Sequence, residues 1–571
     1  MFTKGVIEKN EELEKEWEKK IQMAGAGEMP KYINESGIEI KTVYDPKDLQ
    51  EIDYSDIGLP GKYPFTRGNY PLHYQAEPLM MAHGLGCGDP IETRKRRAVM
   101  EKLGSRLRPK VEESPVVNLL LLDLPTQRGY DPDEPEARGK VGECGVSLSN
   151  LWDFETLYEG LELEKVFTIL IGFNNSMPTT ALYAAYCMDI RNEPLEKLFC
   201  LHCNQPYHSW FWDVPSFPSK IALRLNVEFI KWTIENCPLS YPGLVEGYNP
   251  AEAGANPVQE IAFNLANTIT TMEEGINAGL DPDDMASSFF WHPHIGMNIL
   301  EEVSKLRAGR RLWARIMKER FGCKKEESFS LKMLPAQTAG VESVAQEPLN
   351  NIIRITIMAM AGMFAQAEAG WFSSFDEPLG IPTEEAVRVC IRTYQILNEE
   401  TDIPKVTDPL GGSYYIEWLT SKIEEEVVKL LNKMDEMGGY MKLWESGWLR
   451  REIEKSANEK LKKIDSGETA KVGRNKYVAE EDPDFVPYRR PIESEERAIE
   501  RVKKYRQERD NEKTEAALKK VREAAIKIRE EWPESCGVLM SSLVEAARAR
   551  ATAGEMQRIM REVFGTAYYN I

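Results

Sequence analysis

Cys200, His202, Cys203 and His208 place two thiols and two imidazoles within nine residues, two of them at Cys-x2-Cys spacing. Thiolate and imidazole ligands suit zinc, which a structural site encloses with four of them. A second, distant ligand pair is missing and the segment reads as the end of a strand, so no metal is assigned to it. His292 and His294 flank Pro293 directly after Ser288-Phe289-Phe290-Trp291. They face a site at a strand end or belong to a surface turn, and the sequence leaves both readings open. Glu252 follows Gly247-Tyr248-Asn249-Pro250, and Glu377 follows Ser373-Ser374-Phe375-Asp376. Both acids stand where a strand would give way to a loop, the end at which barrel enzymes place their chemistry, although most acids in such positions are merely solvated. The P-loop, the His-Glu-x2-His zinc motif and the Gly-x-Ser-x-Gly elbow are absent. Gly84-Leu85-Gly86-Cys87-Gly88 has no strand leading into it and its third glycine comes too early, so it reads as a turn and not as a nucleotide loop.

Elements that could position these residues follow from hydrophobic patterning. Val116 to Leu124, Val166 to Phe173, Leu198 to Cys203 and Phe329 to Leu334 are short apolar runs without period-2 alternation, as strands buried on both faces require. Helical patterns fit between them. One spans Met297 to Phe321, with Leu300, Val303, Leu306, Trp313 and Met317 on one side, a Glu301/Lys305 pair and Gly322 as its stop. Another begins at the N-cap Thr383 and carries Val387, Cys390, Ile391, Tyr394 and Leu397. Repeated strand-then-helix units imply an α/β fold with a parallel sheet, and their number favours a closed barrel over an open sheet. The domain reading is an N-terminal arm and extended lead-in over 1–60, a TIM-barrel domain over 61–415 and a helical C-terminal extension over 416–571. Val6, Leu13, Trp17 and Ile21 mark the arm as an amphipathic helix that docks on its own body or on a partner. Within the extension, helices are expected over 421–437, 494–530 and 541–564, with Thr552 and Glu555 spaced as a capping box inside the last.

Lys and Arg number 72 against 92 Asp and Glu, a formal net charge of -20, and no basic block is available to neutralise a phosphate backbone. Nucleic acid is therefore excluded as a partner. No apolar stretch reaches the length of a membrane span and the charged N-terminus is no secretory signal, so a soluble chain without a membrane partner is expected. Nine cysteines, an odd number, imply reduced thiols and a cytoplasmic location.

Read together, several segments resemble the large, barrel-bearing part of methylmalonyl-CoA mutases. They are Phe65-Thr66-Arg67-Gly68-Asn69-Tyr70-Pro71, Asp123 to Asp131, Gly247 to Ala255, Ile295-Gly296-Met297-Asn298, Gln337-Thr338-Ala339-Gly340, Asp408 to Tyr415 and Gly473 to Tyr477, in the family's order. The resemblance implies a barrel pierced along its axis by an acyl-CoA thioester, with adenosylcobalamin across the C-terminal face. It implies radical chemistry: the adenosyl radical takes a hydrogen, the carbon skeleton rearranges and the hydrogen returns. None of the six histidines belongs to an Asp-x-His-x2-Gly cobalamin motif, and the chain ends soon after the helical extension. The expectation is a split mutase, as in the 2-hydroxyisobutyryl-CoA mutase branch. Its cobalt would be held by a separate small cobalamin-binding subunit in a heterodimer or heterotetramer.

Carried over by position, Gln337, Glu252 and Glu377 fall around the adenosyl ribose and Tyr248 beside the corrin. On the substrate side, Asn249 takes the place of the histidine that hydrogen-bonds the thioester carbonyl, and an amide cannot act as a general acid. Gly84 replaces the active-site tyrosine and is expected to open room there. Leu121 replaces the aspartate that serves a hydroxyacyl substrate, while Tyr70 and Ser288 fall among the substrate contacts. Glu77, Ala82 and Ala286 stand where the family has arginines. The arginine for a free carboxylate has no counterpart in Trp210-Phe211-Trp212-Asp213. With Trp210 and Trp212 this implies a bulky or apolar acyl-CoA, not methylmalonyl-CoA. The alternative is an inactive paralogue that serves as a binding or scaffold subunit.

Overall fold

A computed structural model describes residues 4–23, 32–105, 116–198, 200–202, 217–479 and 485–567. A short antiparallel pair, β1 (Tyr32–Ile33) and β2 (Glu39–Ile40), precedes the main fold. The next ten strands pair only in parallel. They are β3 (Met80–Met81), β4 (Val116–Leu121), β5 (Val166–Ile171), β6 (Cys200–His202), β7 (Gly243–Glu246), β8 (Phe289–His292), β9 (His294–Ile295), β10 (Lys332–Met333), β11 (Ala336–Thr338) and β12 (Ala369–Trp371). They form three sheets in the orders β4-β5-β6, β7-β8-β10 and β9-β11-β12-β3. Pro293 separates β8 from β9, and Pro335 falls between β10 and β11, because proline has no N–H to give the ladder. The expected strand Phe329 to Leu334 is accordingly two residues long, with a 3-10 turn at Glu326–Phe329 before it.

The doubly buried strands are explained by two separate packing partners. Leu119 and Leu121 of β4 and Phe167, Ile169 and Ile171 of β5 share one apolar cluster with Ala82, Leu244, Phe290, Leu334 and Ala369. Leu120, Leu122, Val166 and Leu170 point the other way, into the larger core under the helices. Among the first set, Ala82, Leu119, Phe167, Ile169, Leu244, Phe290, Leu334 and Ala369 are each 5% exposed or less. Side chains from seven of the strands' segments thus share one apolar cluster, separate from the core under the helices.

The helix Ile299–Arg315 carries buried cations that tie separate parts of the chain together. Arg307 bonds Asp408 and Glu417, each at 2.6 Å, and Arg67 bonds Asp408 at 2.7 Å. Arg310 donates to the carbonyls of Phe65 and Thr66 at 3.1 Å. Two expectations for this helix need correcting. Leu300 is exposed, and Glu301 does not pair with Lys305 but accepts the Ser36 backbone N–H at 2.8 Å and its hydroxyl at 2.6 Å. Lys305 is instead buried between Glu260, at 2.7 Å, and Glu302, at 2.6 Å.

Thr383 caps the helix Glu384–Glu399 as expected. The C-terminal part is helical: the expected 421–437 helix is longer, Tyr414–Glu436, whereas the two later patterns are each divided. The 494–530 pattern is two helices, Glu493–Glu508 and Asn511–Glu530, the second capped by Asp510. The 541–564 pattern is also two, Val538–Arg548 and Ala553–Phe564, and the Thr552/Glu555 capping box starts the second. Helices Gly439–Glu445 and Trp448–Asp465 were not expected. Asp131 fastens this region to the sheet-bearing part, accepting from the Thr552 hydroxyl at 2.5 Å, the Gly554 N–H at 3.0 Å and Arg506. Among the described residues no helix is long and apolar enough to cross a membrane.

Candidate functional site

The C-terminal ends of the strands change character abruptly. Directly above Leu244 and Phe290 on the same strands stand Glu246 and His292, and the parallel register pairs these two residues. The next register pairs Gln337 with His294 and with Trp371. The side chains converge: His292 Nδ1 lies 3.1 Å from Glu246 Oε2, and its Nε2 lies 2.8 Å from Gln337 Oε1. Tyr248 stacks on the imidazole with ring centroids 5.3 Å apart and planes at 16°. Trp371 lies parallel to it at 6.0 Å and 6°.

Tyr248 opens the short helix Tyr248–Glu252, so Tyr248 and Glu252, four residues apart, project on one side of it. Both reach Gly340. Its N–H donates to Glu252 Oε1 at 2.9 Å, and the Val341 N–H donates to Oε2 at 3.1 Å. A β-carbon on Gly340 would come within 2.9 Å of Glu252 Oε2 and 3.3 Å of the Tyr248 hydroxyl, so glycine is needed for this close approach. Burial pushes the Glu252 carboxyl up to about 7 against the two N–H donors, which lower it. Glu377, on the loop after β12, is also pushed up to about 7, first by burial and then by the charge of Glu252, while Ser373 opposes the shift. Burial raises the Tyr248 phenol well above its ordinary value. His294 Nε2 lies 3.3 Å from Glu252, but burial drives this imidazole down to about 3, so the contact is not an ion pair. Its backbone is fixed from behind by Glu260, which accepts the His294 N–H, and by Lys305, which donates to the His294 carbonyl at 2.6 Å.

Of the residues singled out in the sequence, Tyr248, Glu252, Gln337 and Glu377 are brought together. Asn249 is buried beside them, its N–H on Glu246 Oε1 at 2.9 Å. Leu121 and Gly84 border the same mouth, but Gly84 does not open room: the Trp371 indole lies 3.3 Å from where its β-carbon would be. Ser288 stands at the opposite end of β8, its hydroxyl donating to the Met285 carbonyl at 2.7 Å. Tyr70 is half-exposed beside His73, away from the cluster. Trp210 and Trp212 lie outside the described residues, as do Cys203 and His208. Cys200 packs in the apolar core, and no group of three or more candidate ligands for a metal occurs among the described residues. Glu246 and Trp371 were missed. The available signal was an acid ending the otherwise apolar run Gly243-Leu244-Val245.

The family model described as methylmalonyl-CoA mutase matches residues 33–566. Human mitochondrial methylmalonyl-CoA mutase is 34% identical over 533 residues, covering 93% of this chain and 68% of the relative. The 2-hydroxyisobutanoyl-CoA mutase large subunit of Aquincola tertiaricarbonis is 31% identical over 560 residues, covering 97% and 94%. Methylmalonyl-CoA mutase of Cereibacter sphaeroides is 32% identical over 545 residues, covering 93% and 72%.

Proposed function

The chain belongs to the methylmalonyl-CoA mutase family, and on that premise we propose that it is the large subunit of an adenosylcobalamin-dependent mutase acting on a bulky or apolar acyl-CoA other than methylmalonyl-CoA. The observation that carries this reading is the convergence of Tyr248, Glu252, Gln337 and Glu377 at the C-terminal strand ends. A ribose diol both donates and accepts hydrogen bonds. Two carboxyls that titrate near 7, one amide and the narrow cradle at Gly340 match that need. These residues would hold the adenosyl group, which when bound supplies the hydrogen-abstracting radical chemistry. The protein's part is to orient the group and keep water from the mouth, and the Tyr248 and Trp371 rings serve the second task.

The fold reading completes the three sheets into one (β/α)8 barrel. Its support is a parallel bridge between Gly84 and Leu119 and a hydrogen bond from the Tyr241 N–H to the Cys200 carbonyl at 2.9 Å, which span two of the gaps. The acyl group meets the site at the C-terminal strand ends, where Glu246 and His292 stand. An apolar acyl chain suits a mouth bordered by Leu121, Ile171 and Trp371. Asn249 supplies an amide in place of an acid–base imidazole. The name of the large-subunit relative supports a small-subunit partner; on this reading that partner holds the cobalamin, in a heterodimer or heterotetramer.

Pull-down of the chain from its native cells tests the reading. A small partner carrying Asp-x-His-x2-Gly, corrinoid absorbance and turnover of an alkyl- or aryl-acyl-CoA are expected. Recovery without such a partner or corrinoid would overturn it in favour of a scaffold.

A further inference from the structure

The His292 arrangement goes further than the cofactor cradle. A histidine whose only duty is to fill space has no need of a carboxylate, and the inward positions directly beneath on these strands are apolar: Leu244 under Glu246, Phe290 under His292 and Ala369 under Trp371. Placing a carboxylate and an imidazole on that floor, both buried, costs solvation that an apolar pair would avoid. The geometry also specifies how the ring is used. Glu246 holds Nδ1, the stacked Tyr248 and Trp371 rings fix the plane, and Nε2 meets the Gln337 side chain at 2.8 Å. Glu246 Oε2 stands at Nδ1 and the Gln337 side-chain amide at Nε2, and an amide can meet a ring nitrogen with either its oxygen or its NH2.

We propose that Glu246 and His292 form the oxygen-binding site for the acyl group, with His292 Nε2 donating to an acyl carbonyl or carboxylate oxygen and Gln337 holding that donor until the ligand arrives. The inference rests on the acyl-CoA reading above. It supplies from β8 the imidazole that Asn249 does not provide on the loop after β7. The apolar floor at Leu244 and Phe290 then limits how deep the acyl chain can go, so the oxygen is met at the mouth.

The full chain, purified with its small subunit, is titrated with phenylacetyl-CoA, octanoyl-CoA and coenzyme A alone. In parallel, nitrogen-15 histidine spectra are recorded, with the His292 signals assigned from the His292→Phe variant. Nε2 is expected to carry a hydrogen in the free protein and to shift on adding either thioester but not coenzyme A. His292→Phe keeps the stack and loses the donor, so thioester affinity should fall about tenfold or more while coenzyme A affinity stays the same. His292→Gln should recover part of the loss, and Glu246→Gln should fall between the two. Equal thioester affinity in wild type and His292→Phe, or an Nε2 without hydrogen, would overturn the proposal and leave the acyl-CoA reading standing. No thioester binding by the wild-type complex would overturn the acyl-CoA reading and this site with it.

Discussion

Glu252 and Glu377 are the residues at which the cradle meets solution chemistry. Both carboxyls titrate near 7 when folded, against about 4.5 in the unfolded chain, and burial is the main cause. Below pH 4.5 both states are protonated, and above about 7 both are ionised. Between these limits the folded protein keeps protons that the unfolded chain has released, so the pair's contribution to stability declines as pH rises from 5 to 7.5. The variant Glu252→Gln/Glu377→Gln removes that dependence. Its melting temperature should exceed the parent's at pH 8 and converge on it near pH 5, as scanning calorimetry across the range would show. A parent whose melting temperature rises over this interval at the same rate as the variant's would refute the assignment. The same pair shows what was legible in sequence. Their place at strand ends was visible, but their convergence with Tyr248 and Gln337 was not, because periodicity carries no information on which loops meet. It took the family resemblance to join them. His292 could be read either way, since nothing local told a turn histidine from one whose strand aims it inward.

Elements were legible where local chemistry decided them. Thr383 sets the start of a helix because its side chain accepts the Ala386 N–H at 3.2 Å, and the apolar strands stand out because two cores claim their two faces. The breaks after Glu508 and Arg548 were missed. No glycine or proline marks them, and the helical pattern continues through Asp510 and Thr552, which turn out to be caps. The buried arginines of the helix Ile299–Arg315 were missed for a different reason: arginine is ordinarily a surface residue, and its partners Asp408 and Glu417 lie about a hundred residues away. That network yields a prediction for the helix. Arg307→Ala would leave Asp408 with Arg67 alone and Glu417 without its cation in a buried place, at a cost of about 3–5 kcal/mol. The melting temperature should drop by several degrees, whereas Arg388→Ala, which removes an exposed pair with Glu385, should leave it nearly unchanged.

At the scale of the whole molecule, the open question is what the N-terminal helix Lys4–Met23 is for. Val6, Leu13 and Trp17 lie within one narrow stripe of an otherwise charged helix, and they are 44%, 55% and 36% exposed. The contact between Glu14 and Lys47 joins the helix to the lead-in, whose own apolar side chains Leu49, Ile52 and Ile57 are spent under Tyr414 and Trp418. The stripe therefore faces solvent in the isolated chain, which an apolar face on a stable helix does at a cost unless another surface covers it. On the proposed reading, a small subunit seated over the strand ends would gain from a hold away from the mouth. A clasp at the arm provides one. Deleting residues 1–23 should accordingly weaken assembly with the small subunit by tenfold or more while leaving the melting temperature of the isolated chain unchanged, because the buried core lies beyond the arm. Gel filtration and calorimetry separate the two effects. A deletion that leaves the complex intact would place the clasp elsewhere, and one that lowers the melting temperature would show that the helix stabilises its own chain.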